Sequence, residues 1–306
     1  MNVTFPTLAV CLLGPLFAAS APAKLNIVST TPDFGALARE VGGDRVDVTT
    51  LAKPTEDPHF VDAKPSFVVK LNRADALLEG GAELETGWLP PLLEGARNAR
   101  LAAGKPGLIR CSDGVTMLEI PKDLDRSKGD LHGAGNPHFM TDPLNGRALA
   151  ARLAESFAQL DPAGAEVFRA NVRRFQERLD ERLGVWQKQL APHKGRPVVS
   201  YHNSWLYFAR RFDLKMDLFL EPKPGIPPSP AHLADVVARM KQSGTKVIVV
   251  EPFLNRRTAD NVAGLAGATV VVFPHFPGGA RGVGDGYIEW MDHLVGSLAK
   301  ALDSTR

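Results

Sequence analysis

Apolar residues along this chain follow two periods, and the alternation between them is the first structural signal. Lys24 to Thr30 alternates polar and apolar side chains and predicts a strand, whereas Pro32 to Val41 carries apolar residues at helical spacing. Gly42-Gly43-Asp44 then punctuates before a second strand-like run, Val46 to Leu51. Ser66 to Leu71 predicts a short helix and Ala74 to Leu78 a buried strand closed by Gly80-Gly81. Leu84 to Ala96 reads as a helix with Trp88, Leu92 and Leu93 on one side. Strands alternating with helices in this way imply a parallel sheet in an α/β domain.

From Pro143 to Leu190 the pattern is helical, with a restart at Asp161-Pro162, where Asp suits the N-cap and Pro the first helical position. Phe168, Val172, Phe175, Leu179, Leu183, Trp186 and Leu190 then recur at steps of three or four and make one face apolar. At ~1.5 Å per residue a helix of this length spans roughly 45 Å. It is either an ordinary long core helix or a rigid connector between two lobes. After Pro192 and Gly195 the α/β pattern returns, with strands at Pro197 to Tyr201, Lys246 to Val250 and Ala268 to Phe273. A helical run with Trp205, Phe208 and Phe212 follows the first of these.

Length and charge narrow the picture. A chain of 306 residues is long enough for two domains of ordinary size. A net charge of +2 from 36 basic and 34 acidic residues leaves no basic stripe, which argues against nucleic acid or anionic membrane as a partner. Residues 1–23 contain no charged side chain, and Leu8 to Ala19 is a short apolar run followed by Ala21-Pro22-Ala23. That reads as a secretory signal cleaved before Lys24 and is too short for a membrane span. Cys11 lies too early in the run for lipid attachment, so a soluble periplasmic protein is expected. Cys111 is then the sole cysteine of the mature chain and reads as a buried structural thiol.

The candidate chemistry begins at Thr55 to Ser66, where Pro58 stiffens the backbone before His59. Asn136-Pro137-His138-Phe139 repeats the Pro-His-Phe of residues 58–60. Two rigidly presented imidazoles suggest a metal, since neutral imidazole is the commonest protein ligand for late transition ions. His202 ends the strand Pro197 to Tyr201, and Pro274-His275-Phe276 follows Ala268 to Phe273. Ligands of open α/β sheets bind outside the carboxyl ends of the strands. His59, His138, His202 and His275 thus share one kind of position. His132, in the Gly-rich polar loop Pro121 to Gly135, is read as solvated, and His193, His232 and His293 as surface positions on helices. Asp142 either orients His138 or, more simply, caps the helix that Pro143 begins.

The chain resembles the zinc and manganese type of ABC-transporter substrate-binding proteins, over essentially all of the mature sequence. The residues that carry the resemblance are Asp57-Pro58-His59 through Lys64-Pro65-Ser66, and Ala74-Asp75 followed by Gly80-Gly81 and Glu85. Asn136-Pro137-His138 with Thr141-Asp142-Pro143, and Asp161-Pro162 with Asn171, continue the series. Tyr201-His202 with Tyr207-Phe208, and Gly284-Asp285-Gly286-Tyr287, complete it. The resemblance implies two α/β lobes with parallel sheets, joined by one long rigid helix, and a metal ion in the cleft between them. The lobes would be residues 24–160 and 192–306, with the connecting helix at 161–191. Three ligands fall on His59, His138 and His202. Histidine at the third place marks the zinc branch, where the manganese branch has glutamate. The fourth ligand is more often aspartate in the family; here that place falls on His275, with Asp285 or Glu251 as alternatives.

Four neutral imidazoles independently suit tetrahedral Zn(II), whereas manganese prefers more and harder oxygen ligands. Nickel and copper are not separated from zinc by affinity order. The expectation is a monomeric, non-enzymatic periplasmic protein that delivers Zn(II) to the membrane permease of an ABC importer. Its rivals are a zinc hydrolase with Glu251 as base, which needs an open coordination position, and a metal buffer or chaperone without a transporter.

Overall fold

The computed structural model describes Met1, residues 23–121 and residues 132–305. Most of the expected leader, and residues 122–131 of the polar loop, lie outside the described residues. Among the described residues the strands form two four-stranded parallel sheets. The first contains β1 (Leu25–Ser29), β2 (Val46–Thr50), β3 (Ala76–Glu79) and β4 (Leu108–Arg110), in the order β2-β1-β3-β4. The second contains β5 (Pro197–Ser200), β6 (Lys215–Phe219), β7 (Val247–Val250) and β8 (Thr269–Val272), in the order β6-β5-β7-β8. The strand order is the same in both. In each sheet the first strand is central, and the chain leaves it in opposite directions, which opens a crevice at the carboxyl ends.

Helices α1 (Pro32–Gly42), α2 (Pro65–Arg73) and α3 (Leu89–Ala96) connect the first sheet. Helices α6 (Leu206–Phe212), α7 (Pro230–Ser243) and α8 (Arg256–Ala266) connect the second. Between the sheets the chain runs through α4 (Pro143–Leu160) and α5 (Ala165–Leu190), and α9 (Tyr287–Asp303) closes it. At ~1.5 Å per residue α5 spans roughly 39 Å. It packs against α1, α4 and α9, and so touches both lobes.

The alternation of strand side chains sorts the core into layers. Ile27, Leu78, Val198, Val247 and Val249 point toward one continuous core that also holds Phe168, Phe175, Leu179 and Trp186 of α5. Their strand neighbours Val28, Leu77, Val199 and Ile248 point the other way, into two separate clusters beneath the outer helices. The predicted apolar face of α5 is buried, and the central core belongs to both sheets at once. Cys111 is buried in it, as expected, and burial pushes its thiol well above the ordinary value.

Several local expectations are corrected. The helix read from Leu84 begins only at Leu89. Ala82 and Glu83 take left-handed backbone angles, φ 50° and 67°, and turn the chain around Glu85. The Glu85 carboxylate accepts from Thr30 Oγ1 at 2.6 Å, Gly80 N at 2.7 Å and Gly81 N at 3.3 Å. Asp161 stands at the N-cap of the 3-10 turn with Pro162 after it, as expected, but its side chain makes no capping hydrogen bond. Its carboxylate accepts from Arg45 Nε at 2.7 Å, and a single 3-10 turn, Pro162–Gly164, leads into α5. Strands β4 and β6 escaped the periodicity reading: β4 has three residues, and β6 lies at the edge of its sheet, as does β4. His193 is not a surface residue; it is 1% exposed, in the turn Ala191–His193, and lies 3.3 Å from Asp303 Oδ1.

Candidate metal centre

Each predicted histidine is placed by the backbone of its own loop. His59 sits in the turn after β2, where its N–H donates to Asp57 Oδ1 at 3.0 Å and Trp88 Nε1 fixes the preceding Pro58 carbonyl at 2.9 Å. His138 follows β4, with its N–H on Asn136 Oδ1 at 3.0 Å. His202 follows β5, its carbonyl accepting from Ser200 Oγ at 2.8 Å. His275 follows β8, where Trp290 Nε1 donates to the Pro274 carbonyl at 2.7 Å.

The His138 segment, though it precedes α5, is tied to the second lobe. Tyr207 Oη donates to the Asn136 carbonyl at 2.8 Å and accepts from Leu118 N at 3.0 Å. Asn136 Nδ2 donates to the Asn203 carbonyl at 2.9 Å, and Tyr287 Oη donates to the Met140 carbonyl at 2.7 Å. Asp142 caps α4 by accepting from Leu144 N at 2.9 Å, and both its oxygens take the Arg211 guanidinium at 2.8 Å. Capping, the simpler of the two readings of Asp142, is therefore the role seen.

These loops bring the rings together. His138 Nε2 lies 3.4 Å from His59 Nε2 and 3.3 Å from His202 Nε2. One nitrogen from each of His59, His138 and His202 lies within 4.8 Å of the others. His275 stands outside that trio but against it, its ring centroid 4.8 Å from that of His138 and edge to face at 82°. All four line a cavity of about 30 Å³, together with His132 and Glu221. Pockets for organic ligands run to ~300–1,000 Å³, so this one suits an ion.

Burial governs the electrostatics. Desolvation holds His59 and His138 well below the ordinary imidazole value and brings His275 down to about 3, with the neighbouring rings adding to the effect. Desolvation acts on His202 as well, yet the Glu221 carboxylate against it, together with the charges of Glu251 and Asp57, holds it above that value. Neutral imidazoles are what a cation requires.

The structure separates the alternatives for the fourth position. Asp285 is a surface residue, its side chain 89% exposed and 3.6 Å from Arg39 Nη2. Glu251 is 1% exposed, accepts from Trp205 Nε1 at 2.9 Å, and does not line the cavity; burial raises its carboxyl to about 7. His132 is not the solvated residue expected, because its ring stacks on that of His59 with centroids 5.0 Å apart at 22°. Glu221 was missed altogether. It lies just past the carboxyl end of β6, so the strand-end rule that selected His202 and His275 reaches it once β6 is recognised.

Two parallel sheets with an ion-sized histidine cavity beyond their carboxyl ends define a two-lobed protein built to hold a metal ion. Over residues 27–301 the chain matches the model of the ZnuA family, described as zinc-uptake complex component A, periplasmic, and it belongs to that family of metal-binding ABC-transporter substrate-binding proteins. It is 22% identical over 286 residues to the manganese ABC transporter substrate-binding lipoprotein PsaA of Streptococcus pneumoniae, covering 91% of this chain and 89% of that one. It is 24% identical over 285 residues to the iron-binding protein YfeA of Yersinia pestis, covering 90% and 86%. A crystal structure of ZnuA superposes with a TM-score of 0.78 at 24% identity, covering 91% of this chain and 99% of that one, and shares the fold.

Proposed function

We propose that this chain is a periplasmic zinc-binding protein that holds one Zn(II) with His59, His138, His202 and His275 and passes it to the membrane permease of an ABC importer. The observation that carries the reading is the spacing of the Nε2 atoms, 3.4 Å and 3.3 Å. Zinc lies ~2.0–2.1 Å from imidazole nitrogen in a tetrahedral site, and a tetrahedron of that size has edges of roughly 3.3–3.4 Å. The donor set favours zinc as well, since nitrogen ligands suit it and manganese draws on oxygen. Relatives are named for manganese, iron and zinc alike, so it is the donor chemistry that favours zinc among them. His275, which lines the same cavity with its ring against that of His138, is the fourth donor in this reading.

Calorimetric titration of the metal-stripped mature chain with Zn(II), Mn(II) and Fe(II) tests this directly. One tight zinc site per chain with weaker binding of the other two is expected. Tighter binding of manganese, or several equal zinc sites, would overturn it. Restored growth of a chelator-starved strain that lacks its own zinc-binding component is the expected physiological result.

A further inference from the structure

His202 is held differently from the imidazoles beside it. Its Nδ1 lies 2.7 Å from Glu221 Oε2, with the two side chains only 14% and 11% exposed. The Nδ1 atoms of His138 and His275 are also buried, and neither has a hydrogen-bond partner among the described residues. A contact this short to a carboxylate places the proton on Nδ1, and a neutral ring protonated there keeps its lone pair on Nε2. Nε2 is the atom that faces His138.

From this geometry we propose that Glu221 is the positioning residue of the site: it fixes His202 in the tautomer and orientation that present Nε2 to the ion, and thereby sets a preference for zinc over manganese. The second half of the proposal rests on the zinc reading above. A ring without such a partner samples both tautomers and more than one orientation, and ordering it consumes binding free energy. Sharing the N–H with a carboxylate also makes the other nitrogen a more basic donor. The gain falls mainly on a metal that selects nitrogen.

Competition titrations with Zn(II) and Mn(II) compare the unmutated mature chain with Glu221→Gln, which keeps the shape and removes the charge. The zinc Kd should rise about 10- to 100-fold, and manganese binding should change less, so that discrimination falls. A zinc Kd within about twofold of the unmutated value, or equal losses for both metals, would overturn the proposal. Histidine-labelled nitrogen NMR of the unmutated protein at about pH 8 gives a reading that needs no variant to fold. His202 should carry its proton on Nδ1 with and without zinc. An Nε2–H tautomer in the metal-free protein would overturn the positioning role even if zinc binds. Conversely, an unmutated chain that binds no zinc but shows the Nδ1–H tautomer would sink the site reading and leave the positioning of His202 standing.

Discussion

His138 and His275 meet edge to face, with ring centroids 4.8 Å apart. Each follows the fourth strand of its sheet, β4 or β8, and each stands between a proline and a phenylalanine. His275 follows β8 directly, whereas His138 is brought to the same point by the hydrogen bonds of its loop to Tyr207, Asn203 and Tyr287. His59 and His202 come from non-equivalent strands, β2 and β5, and complete the set from either side.

If His275 is the fourth ligand, His275→Ala should weaken zinc binding by more than about 100-fold, beyond the usual cost of losing a hydrogen bond that merely supports a ligand. His293, partly buried on α9 and away from the cavity, serves as the control. His293→Ala should leave the Kd unchanged, and competition titration against a chelator of known affinity compares the two. Equal effects would show that the fourth donor lies elsewhere.

Proton competition should be dominated by one ring. Protons compete with the metal only where the imidazole is protonated in the free protein, so affinity falls as pH drops through the pKa of such a ring. His202 is held above 6.5, whereas His275 lies at about 3 and His59 and His138 well below 6.5. Between about pH 8 and 5 the logarithm of the zinc affinity should therefore fall with a slope near one proton, not four. Calorimetry in buffers of different ionisation enthalpy counts the protons released.

Tyr207 ties the His138 segment to α6 by two hydrogen bonds, to Leu118 N and the Asn136 carbonyl. Tyr207→Phe keeps the ring and removes both. A loss of about 1–3 kcal/mol in urea unfolding is expected, accompanied by weaker zinc binding because His138 loses its support. Unchanged affinity would show that the His138 loop holds its shape without the second lobe.

Phe175 is fully buried on α5, in the core that both sheets share, with its ring 6.3 Å from that of Tyr287. Phe175→Ala should cost about 3–5 kcal/mol. Because the core is continuous across the lobes, the metal-free protein should unfold in a single transition, with tryptophan fluorescence and far-UV dichroism coincident. Two resolved transitions would mean that the lobes fold separately.

The elements with strong periodicity could be read from the amino-acid order. The alternation in Lys24 to Thr30 and the three- and four-residue steps from Phe168 to Leu190 are local properties, and local backbone geometry enforces them. The same holds for proline ahead of His59, His138 and His275, which marks rigid presentation without any knowledge of the fold. What stayed hidden depends on distance along the chain. Asp161 looks like a cap until Arg45, 116 residues earlier, arrives to claim its carboxylate. His193 looks like a surface residue until folding buries it 3.3 Å from Asp303, 110 residues later. Glu221 carries no local mark, because its role exists only once the edge strand β6 has brought it beside His202.

The linear chain therefore determined which segments alternate as strands and helices, and which histidines stand in stiffened, strand-end positions. Tertiary structure decided that three of those histidines lie within 4.8 Å, that His275 rather than Asp285 or Glu251 stands beside them, and that the Glu221 carboxylate backs His202. The reason is physical. Secondary structure answers to neighbours a few residues away, whereas a cavity's donors are chosen by the packing of two sheets on one long helix.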